Sequence, residues 1–353
     1  MNLREKVYVA TVPRGIHAIL GADIGGTNSN FGIFELTNNK LILLFSLHAK
    51  SQEVTDFTQL VKQVQKYVAS NYDISIQAAL FAAAGVVSPD RDRSKPTNLS
   101  SIEIDAHIIK QVTAIPCVYV VNDFEVIGYG IDLIDPSDLV KVHNGPERKW
   151  AQKAIIGAGT GLGKCIMFWN NAVKRYVPVA SEGGHADFAA QRLVELDLIQ
   201  FIQRLEGFTC NVSWEDVLSG YGIQRIYQFF HARTTNGHHA QNEQLPHPDE
   251  IFNTRNHDKH SWDTFELYTK LYARCVKNFV LDSLALGGIY IAGGIAAHNL
   301  PLFELPAFTK EFINCGKQRH LLEKVPVYVI TDYNVSLYGA AHYLVLEGVC
   351  KPS

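Results

Sequence analysis

The sequence predicts an α/β protein of two domains, on three observations. The chain has 353 residues, and at roughly 150 residues per domain this suggests two cores, neither needing disulfide or metal staples. Apolar, strand-like runs alternate with stretches of helical periodicity, the pattern of sheets flanked by helices. A strand, glycine turn, strand arrangement also occurs twice, at 19–34 and again from 153 to 169. Two similar half-units are the economical reading, and such duplication puts a ligand cleft between domains.

In chain order, the first twenty residues carry mixed charge and a Pro13-Arg14-Gly15 break, and read as a short extension before the core. Residues 17–23 form a buried strand, Gly25-Gly26 a turn, 30–36 a returning strand and 41–47 a third. A helix fits 55–70, with Phe57, Leu60, Val61, Val64 and Val68 on one face and Asp56 at the end where the helix dipole favours a carboxylate. Strand 77–87, helix 105–112 and strand 117–121 complete one α/β unit. After the second glycine turn, 164–169 is strand and 195–230 is mainly helical. The stretch 231–262 is polar, holds six of the fourteen histidines and reads as a long surface loop. Helix 263–286, strand 287–292, strand 325–331 and helix 336–347 follow.

Composition excludes several classes. Apolar residues make up 47% and charged residues 19%, which places the chain among folded globular proteins and far from disorder. Thirty-five acids against thirty-two bases leave a charge of -3, so the chain as a whole has no electrostatic footprint for nucleic acid or an anionic membrane. The six cysteines form no C-x-x-C pair, so reduced thiols are expected rather than a zinc ribbon or redox pair. The start lacks the apolar core of a secretory signal, and the longest apolar stretch, about 284–297, is too short to span a bilayer. A cytoplasmic protein is expected.

Candidate chemistry clusters at strand ends. Asp23-Ile24-Gly25-Gly26-Thr27-Asn28 puts a carboxylate, side-chain-free backbone and two small polar groups together, as close approach to a phosphate requires. An ordinary hairpin turn would use the same residues. Gly157-Ala158-Gly159-Thr160-Gly161-Leu162-Gly163 is a second such turn, and fits neither a P-loop nor a dinucleotide fingerprint. Gly293-Gly294 is a third. Asn122-Asp123 stands at the C-terminal end of a buried strand, where α/β sheets place ligands, although helix capping would also explain it. Glu182-Gly183-Gly184-His185 can aim two polar side chains into one pocket. A metal is one use for them, and hydrogen bonds to a polyhydroxylated ligand fit the residue types better. Glu215 adds an acid that, alone, would be an ordinary solvated helix residue. The histidines of 231–262 are irregularly spaced and interrupted by Pro246 and Pro248, which favours a solvated loop over a metal site.

Taken together these motifs resemble the bacterial-type glucokinases. Gly21-Ala22-Asp23-Ile24-Gly25-Gly26-Thr27-Asn28, Val121-Asn122-Asp123-Phe124, the 157–163 turn, Glu182-Gly183-Gly184-His185-Ala186-Asp187-Phe188, Val217-Leu218-Ser219-Gly220 and Ile291-Ala292-Gly293-Gly294-Ile295 occur in that family's order over about 17–347. The resemblance implies a two-domain actin-like ATPase (ribonuclease H-like) fold with an interdomain cleft. The domains would be 1–125, completed by the C-terminal helix at 336–353, and 126–335 with the 231–262 loop. It implies ATP-dependent phosphorylation of the glucose 6-hydroxyl, as in glycolysis, with Asp123 as catalytic base. Asn98, Asn122, Asp123, Glu182, His185 and Glu215 would contact glucose. Asp23, Gly25, Gly26, Thr27 and Asn28 with Gly159, Thr160 and Gly161 would bind phosphate, Gly293 and Gly294 the adenosine, and Asp23 a Mg²⁺ ion through water. A homodimer is also implied. Leu99-Ser100-Ser101-Ile102 follows Asn98 where family members usually carry an aromatic. Another hexose or an amino sugar as acceptor, or a non-catalytic sensor on the same fold, are the competing readings. No basic helix-turn-helix region and no Cys-rich zinc motif accompany the pattern, which disfavours a transcriptional repressor.

Overall fold

A computed structural model describes residues 3–97, 99, 102–146, 148–207, 211–234 and 245–349. Its first elements are β1 (Arg4–Val7), β2 (His17–Ile24), β3 (Asn28–Thr37), β4 (Lys40–Lys50), α1 (Phe57–Tyr72), β5 (Ser75–Ala83), β6 (Arg93–Ser94), β7 (Ile104–Asp105), α2 (Ala106–Thr113), β8 (Cys117–Asn122) and α3 (Asp123–Gly130). Six of these strands form a sheet in the order β1-β4-β3-β2-β5-β8. The β2/β3 and β3/β4 pairs are antiparallel and β2/β5 and β5/β8 parallel, so Ile24, Ala83 and Asn122 stand side by side at one end of the sheet. That register brings Asp23, the 25–27 turn and Asp123 to the same edge.

The first twenty residues are not a mere extension. β1 pairs antiparallel with β4, Arg4 opposite His48 and Val7 opposite Phe45, and Tyr8 N–H donates to Leu44 O at 2.9 Å. All four β1 side chains are exposed, so no alternation of apolar residues betrays the strand; its backbone hydrogen bonds make it. Helix α1 begins where Asp56 accepts the Gln59 N–H at 3.1 Å and stops at Asp73, whose φ is 56°. Val61, Val64 and Val68 pack with Leu20, Phe31 and Phe81 on one sheet face, while Ile19, Leu80 and Val121 pack with Val126, Tyr129 and Leu344 on the other.

The two compact units comprise Met1–Pro136, Asn170–Ala180 and Asp332–Ser353, and Ser137–Trp169 and Ser181–Thr331. The first therefore extends past residue 125, where the sequence places its end. The reason is a close helix crossing: a Cβ added at Gly130 would meet Val335 O and Gly339 N, and His342 Nδ1 lies 2.7 Å from Tyr129 O. Helix α3 is thus held by the C-terminal helix Val335–Leu346 and stays with it.

The chain continues through β9 (Leu139–His143), β10 (Lys153–Ala158), β11 (Leu162–Asn170), β12 (Arg175–Ser181), α4 (Leu193–Glu206), α5 (Trp214–Leu218), α6 (Gly220–Thr234), α7 (Pro248–Asn253), α8 (Lys259–Ser283), β13 (Ile289–Ala292), α9 (Gly294–His298), α10 (Pro301–Glu304), α11 (Pro306–Phe312), α12 (Arg319–Leu322) and β14 (Val327–Ile330). In the second sheet the run β11-β10-β13-β14 repeats the β3-β2-β5-β8 run of the first: an antiparallel hairpin, β10/β11, beside two parallel strands, β13 and β14, with β9 added antiparallel at the edge. The duplication expected from the glycine turns is present in strand order as well as in sequence.

The 231–262 segment is not one loop. Residues 231–234 end α6, and α8 begins at Lys259. Between them α7 starts with His247 as cap and Pro248 in its first turn, and it buries Ile251 and Phe252. Residues 238 and 239 of the histidine run lie outside the described residues. Among the described residues the cysteines at 117, 165, 275 and 315 are free thiols, and no helix is long and apolar enough to cross a membrane.

Candidate functional site

The first unit carries a carboxylate and a braced glycine turn at the sheet edge. Asp23 is the next-to-last residue of β2, with its side chain largely withdrawn from water; burial pushes its carboxyl above the usual range, and the Ser336 hydroxyl, donating to Oδ2 at 2.7 Å, works in the opposite direction. The turn after it is tied at several points. Gly25 N–H donates to Asn28 O at 3.0 Å, the Ser51 hydroxyl donates to Gly25 O at 2.6 Å, and Ser51 N–H donates to Thr27 O at 3.0 Å. Ser29 and Ser51 hydroxyls lie 2.8 Å apart beneath it. Gly26 is half-buried, and the Thr27 and Asn28 side chains are exposed. This is a rigid loop with accessible backbone, as anion binding demands. Neither Ser51 nor Ser336 belongs to a motif, and nothing near them in the chain marks them.

At the neighbouring strand end the capping and the acidic roles fall to different residues. Asn122, buried, caps α3: its Oδ1 accepts from Phe124 N–H at 3.0 Å and Glu125 N–H at 3.1 Å, and its Nδ2 donates to Gly85 O at 3.1 Å. One amide hydrogen remains to it beyond these bonds. Asp123 is the first helical residue, partly exposed, with Oδ1 accepting from Phe124 N–H at 3.0 Å. The helix N-terminus stabilises its charge. Asn98 lies outside the described residues; Leu99 beside it is buried in the core.

In the second unit a single turn of 3-10 helix, Gly183–His185, presents two candidate ligand residues. His185 N–H donates to Glu182 O at 3.0 Å and Gly183 N–H to Ser181 Oγ at 3.1 Å. The His185 ring stands between two acids, Nε2 3.7 Å from Glu182 Oε2 and Nδ1 4.0 Å from Glu215 Oε1. Glu215 is no solvated helix residue: its side chain is 25% exposed and its Oε2 accepts Leu162 N–H at 2.8 Å. A reciprocal Ser213–Asp216 cap starts α5 and points Glu215 that way. Among the described residues there is no group of three or more His, Cys, Asp or Glu that could hold a metal.

The two remaining glycine turns stand at the ends of adjacent strands. Gly159 N–H donates to Gly161 O at 2.8 Å across the β10/β11 turn, and Gly220 N–H donates to Gly159 O at 2.9 Å, so the 217–220 motif serves to hold that turn. Gly293 follows β13 with φ 91°, and an added Cβ would lie 2.6 Å from Ala158 O; conformation and packing both require glycine. Thr160 and Gly294 flank these turns.

Gly184 is the tightest glycine of these turns. A Cβ there would fall on the Leu162 carbonyl oxygen. Gly184→Ala is therefore expected to lift the Glu182–His185 turn off β11, at a cost of about 1–3 kcal/mol for overpacking. Thermal denaturation and sugar titration should both register it.

A family model described as Glucokinase matches residues 20–347. The chain is 33% identical over 340 residues to a glucokinase of Nostoc punctiforme, covering 92% of this chain and 97% of that protein. It is 34% identical over 341 residues to one of Trichormus variabilis, with the same coverage. Among solved structures, a glucokinase from Balamuthia mandrillaris in complex with glucose superimposes with a TM-score of 0.79 at 21% identity over 93% of each chain. A glucokinase from an Antarctic psychrotroph gives 0.74 at 24% identity, over 93% of this chain and 98% of that one. These structures share the actin-like ATPase fold with this chain.

Proposed function

We propose, from the premise that this chain belongs to the glucokinase family, that Asp123 is the base and Glu182, His185 and Glu215 the sugar-binding set of an ATP-dependent glucokinase. The enzyme transfers the γ-phosphoryl group of ATP to the 6-hydroxyl of glucose. The hydroxyl oxygen bonds to the γ-phosphorus, the bond to the β-bridging oxygen breaks, and glucose 6-phosphate and ADP result. One observation carries the assignment of the base. Asp123 presents a partly exposed carboxylate at the end of β8, while Asn122 beside it performs the capping.

Phosphoryl transfer needs reactants in line and charge neutralised. In this reading Asp123 accepts the proton of the 6-hydroxyl as the new P–O bond forms. Glu182 and Glu215 accept hydrogen bonds from sugar hydroxyls, and His185, between them, completes the set. Asn122 adds its remaining amide hydrogen and Asn98 a further contact. The 25–28 and 159–161 turns offer backbone N–H groups to the phosphates, and Gly293 with Gly294 receives the adenosine. A single hard carboxylate at Asp23 with no metal cage around it among the described residues fits Mg²⁺, which prefers one or two carboxylates, water and substrate phosphate oxygens. When bound, that ion supplies positive charge against the donor phosphates. A homodimer and a cytoplasmic setting belong to the same proposal.

A donor-by-acceptor panel on purified protein tests the reading: ADP release from ATP should depend on glucose and exceed that with other hexoses or amino sugars. Release indifferent to every sugar would overturn it. Glu182→Gln should raise the KM for glucose about ten- to hundredfold, the worth of a hydrogen bond to a charged group. An unchanged KM would remove Glu182 from the sugar set.

A further inference from the structure

We propose that Lys164 is a positioning residue for the sugar: a buried ammonium under the Glu182–His185 turn that sets the height of the turn on the sheet and answers its negative charge. The proposal rests on the reading that this turn holds glucose.

Lys164 lies two residues after Leu162 on β11, so both side chains point to the same face of the sheet. That face is the floor of the turn. Gly184 rests on Leu162, and Gly183 rests on Lys164, where an added Cβ would lie 3.1 Å from Cδ and 3.6 Å from Nζ. Lys164 is 5% exposed, a rare state for lysine without a counter-charge. Its ammonium sits 5.2 Å from the Phe279 ring centroid and beside the Cys275 thiol, both on α8. Neither neutralises it. Burial pushes the Cys275 thiol up to about 11, with Lys164 pulling down and Asp282 pushing up, so at neutral pH the thiol carries no charge. Among the described residues no carboxylate forms an ion pair with Lys164.

A methionine would fill this space without the desolvation cost of a cation. What the cation adds is a field directed at the turn above it. There Glu182 and Glu215 stand on either side of one imidazole, at 3.7 and 4.0 Å. Two acids so placed repel each other, and the buried positive charge fixed beneath them offsets part of that repulsion, although Glu182 and His185 themselves stand half-exposed. Lys164 thus acts through Glu182 and Glu215 on glucose affinity and leaves the phosphate-binding turns alone.

The test compares Lys164→Met, which keeps most of the side-chain length and removes the charge, with Glu182→Gln. Glucose binding is measured by calorimetry and turnover by ADP release. For Lys164→Met the Kd and KM for glucose should rise about tenfold, with kcat and the KM for ATP within about twofold of wild type. A second pair tests the contact: Gly183→Ala should weaken glucose binding less in a Lys164→Ala background than in wild type, because the space is vacated. Unchanged glucose affinity in Lys164→Met, with Glu182→Gln weakened, overturns the proposal and spares the sugar assignment. Equal loss for glucose and ATP together with a lowered Tm would show a merely structural lysine, and also overturns it. Unchanged affinity in Glu182→Gln would overturn the sugar assignment on which the proposal stands.

Discussion

Replacing Asp123 with alanine is expected to cut kcat by about 10²- to 10⁴-fold while glucose still binds. The carboxylate stands just past the end of β8, in the first turn of α3. Its interaction with the helix N-terminus is worth only about 0.3–1 kcal/mol, and the cap itself is supplied by Asn122 through Phe124 N–H and Glu125 N–H. The variant should therefore fold, which makes the kinetic loss interpretable. Asp123→Asn is the sharper form, since it keeps shape and loses basicity; it should be nearly as slow, with a glucose Kd close to that of wild type. Turnover within a few-fold of wild type in both variants would take Asp123 out of the mechanism.

The largest stability effect is expected at Arg274. Its guanidinium, fully buried, donates to Glu195 at 2.6 and 2.8 Å, to Glu311 at 2.8 Å and to Ala189 O at 3.0 Å. Arg192 closes the group, 3.0 Å from Glu195 and 2.6 Å from Glu311. Arg274→Met leaves two buried carboxylates with half their cations and should cost about 3–5 kcal/mol. The bond to Ala189 O also anchors the chain a few residues beyond His185, so glucose affinity should fall with stability. Thermal or urea denaturation measures the first effect, and a Tm within a degree of wild type would contradict it.

The same network sets a pH dependence. Burial alone would raise the Glu195 carboxyl, but the Arg274 hydrogen bonds, the Gln191 N–H and Arg192 outweigh it and hold the group at about 2, against 4.5 in the unfolded chain. Because the folded value is the lower one, the stabilisation is complete above about pH 4.5 and is lost as pH falls toward 2. Wild-type Tm should drop across that window. In Arg274→Met the drop should be smaller, since much of the interaction is already gone.

Much of the site could be read from short stretches of chain. The Asp23–Asn28 and Gly157–Gly163 segments declare hairpin turns with open backbone, because glycine pairs after apolar alternation leave few other conformations. Asn122-Asp123 at the end of an apolar run marks a strand-to-helix junction, although that Asn122 is the cap is settled by geometry: its Oδ1 accepts from Phe124 and Glu125 N–H, and its Nδ2 donates to Gly85, well upstream. Glu215 shows the limit of local reading. Its surroundings suggest a solvated helix residue, and only the Leu162 N–H turns it inward.

Other features had no local signal. β1 is exposed on every side chain, so patterning is silent and backbone pairing with β4 creates it. The polar stretch around 231–262 hides α7, whose two buried residues are too few to show a period. Ser51, Ser336, Lys164 and Arg274 have partners tens to hundreds of residues away. Periodicity, caps and glycine turns act over a few residues and are therefore written in the chain, including the strand ends that carry Asp23 and Asn122-Asp123. Desolvation and hydrogen bonding act across space, so the serine brace of the 25–28 turn, the lysine beneath the Gly183–His185 turn and the buried arginine network arise only when distant segments pack.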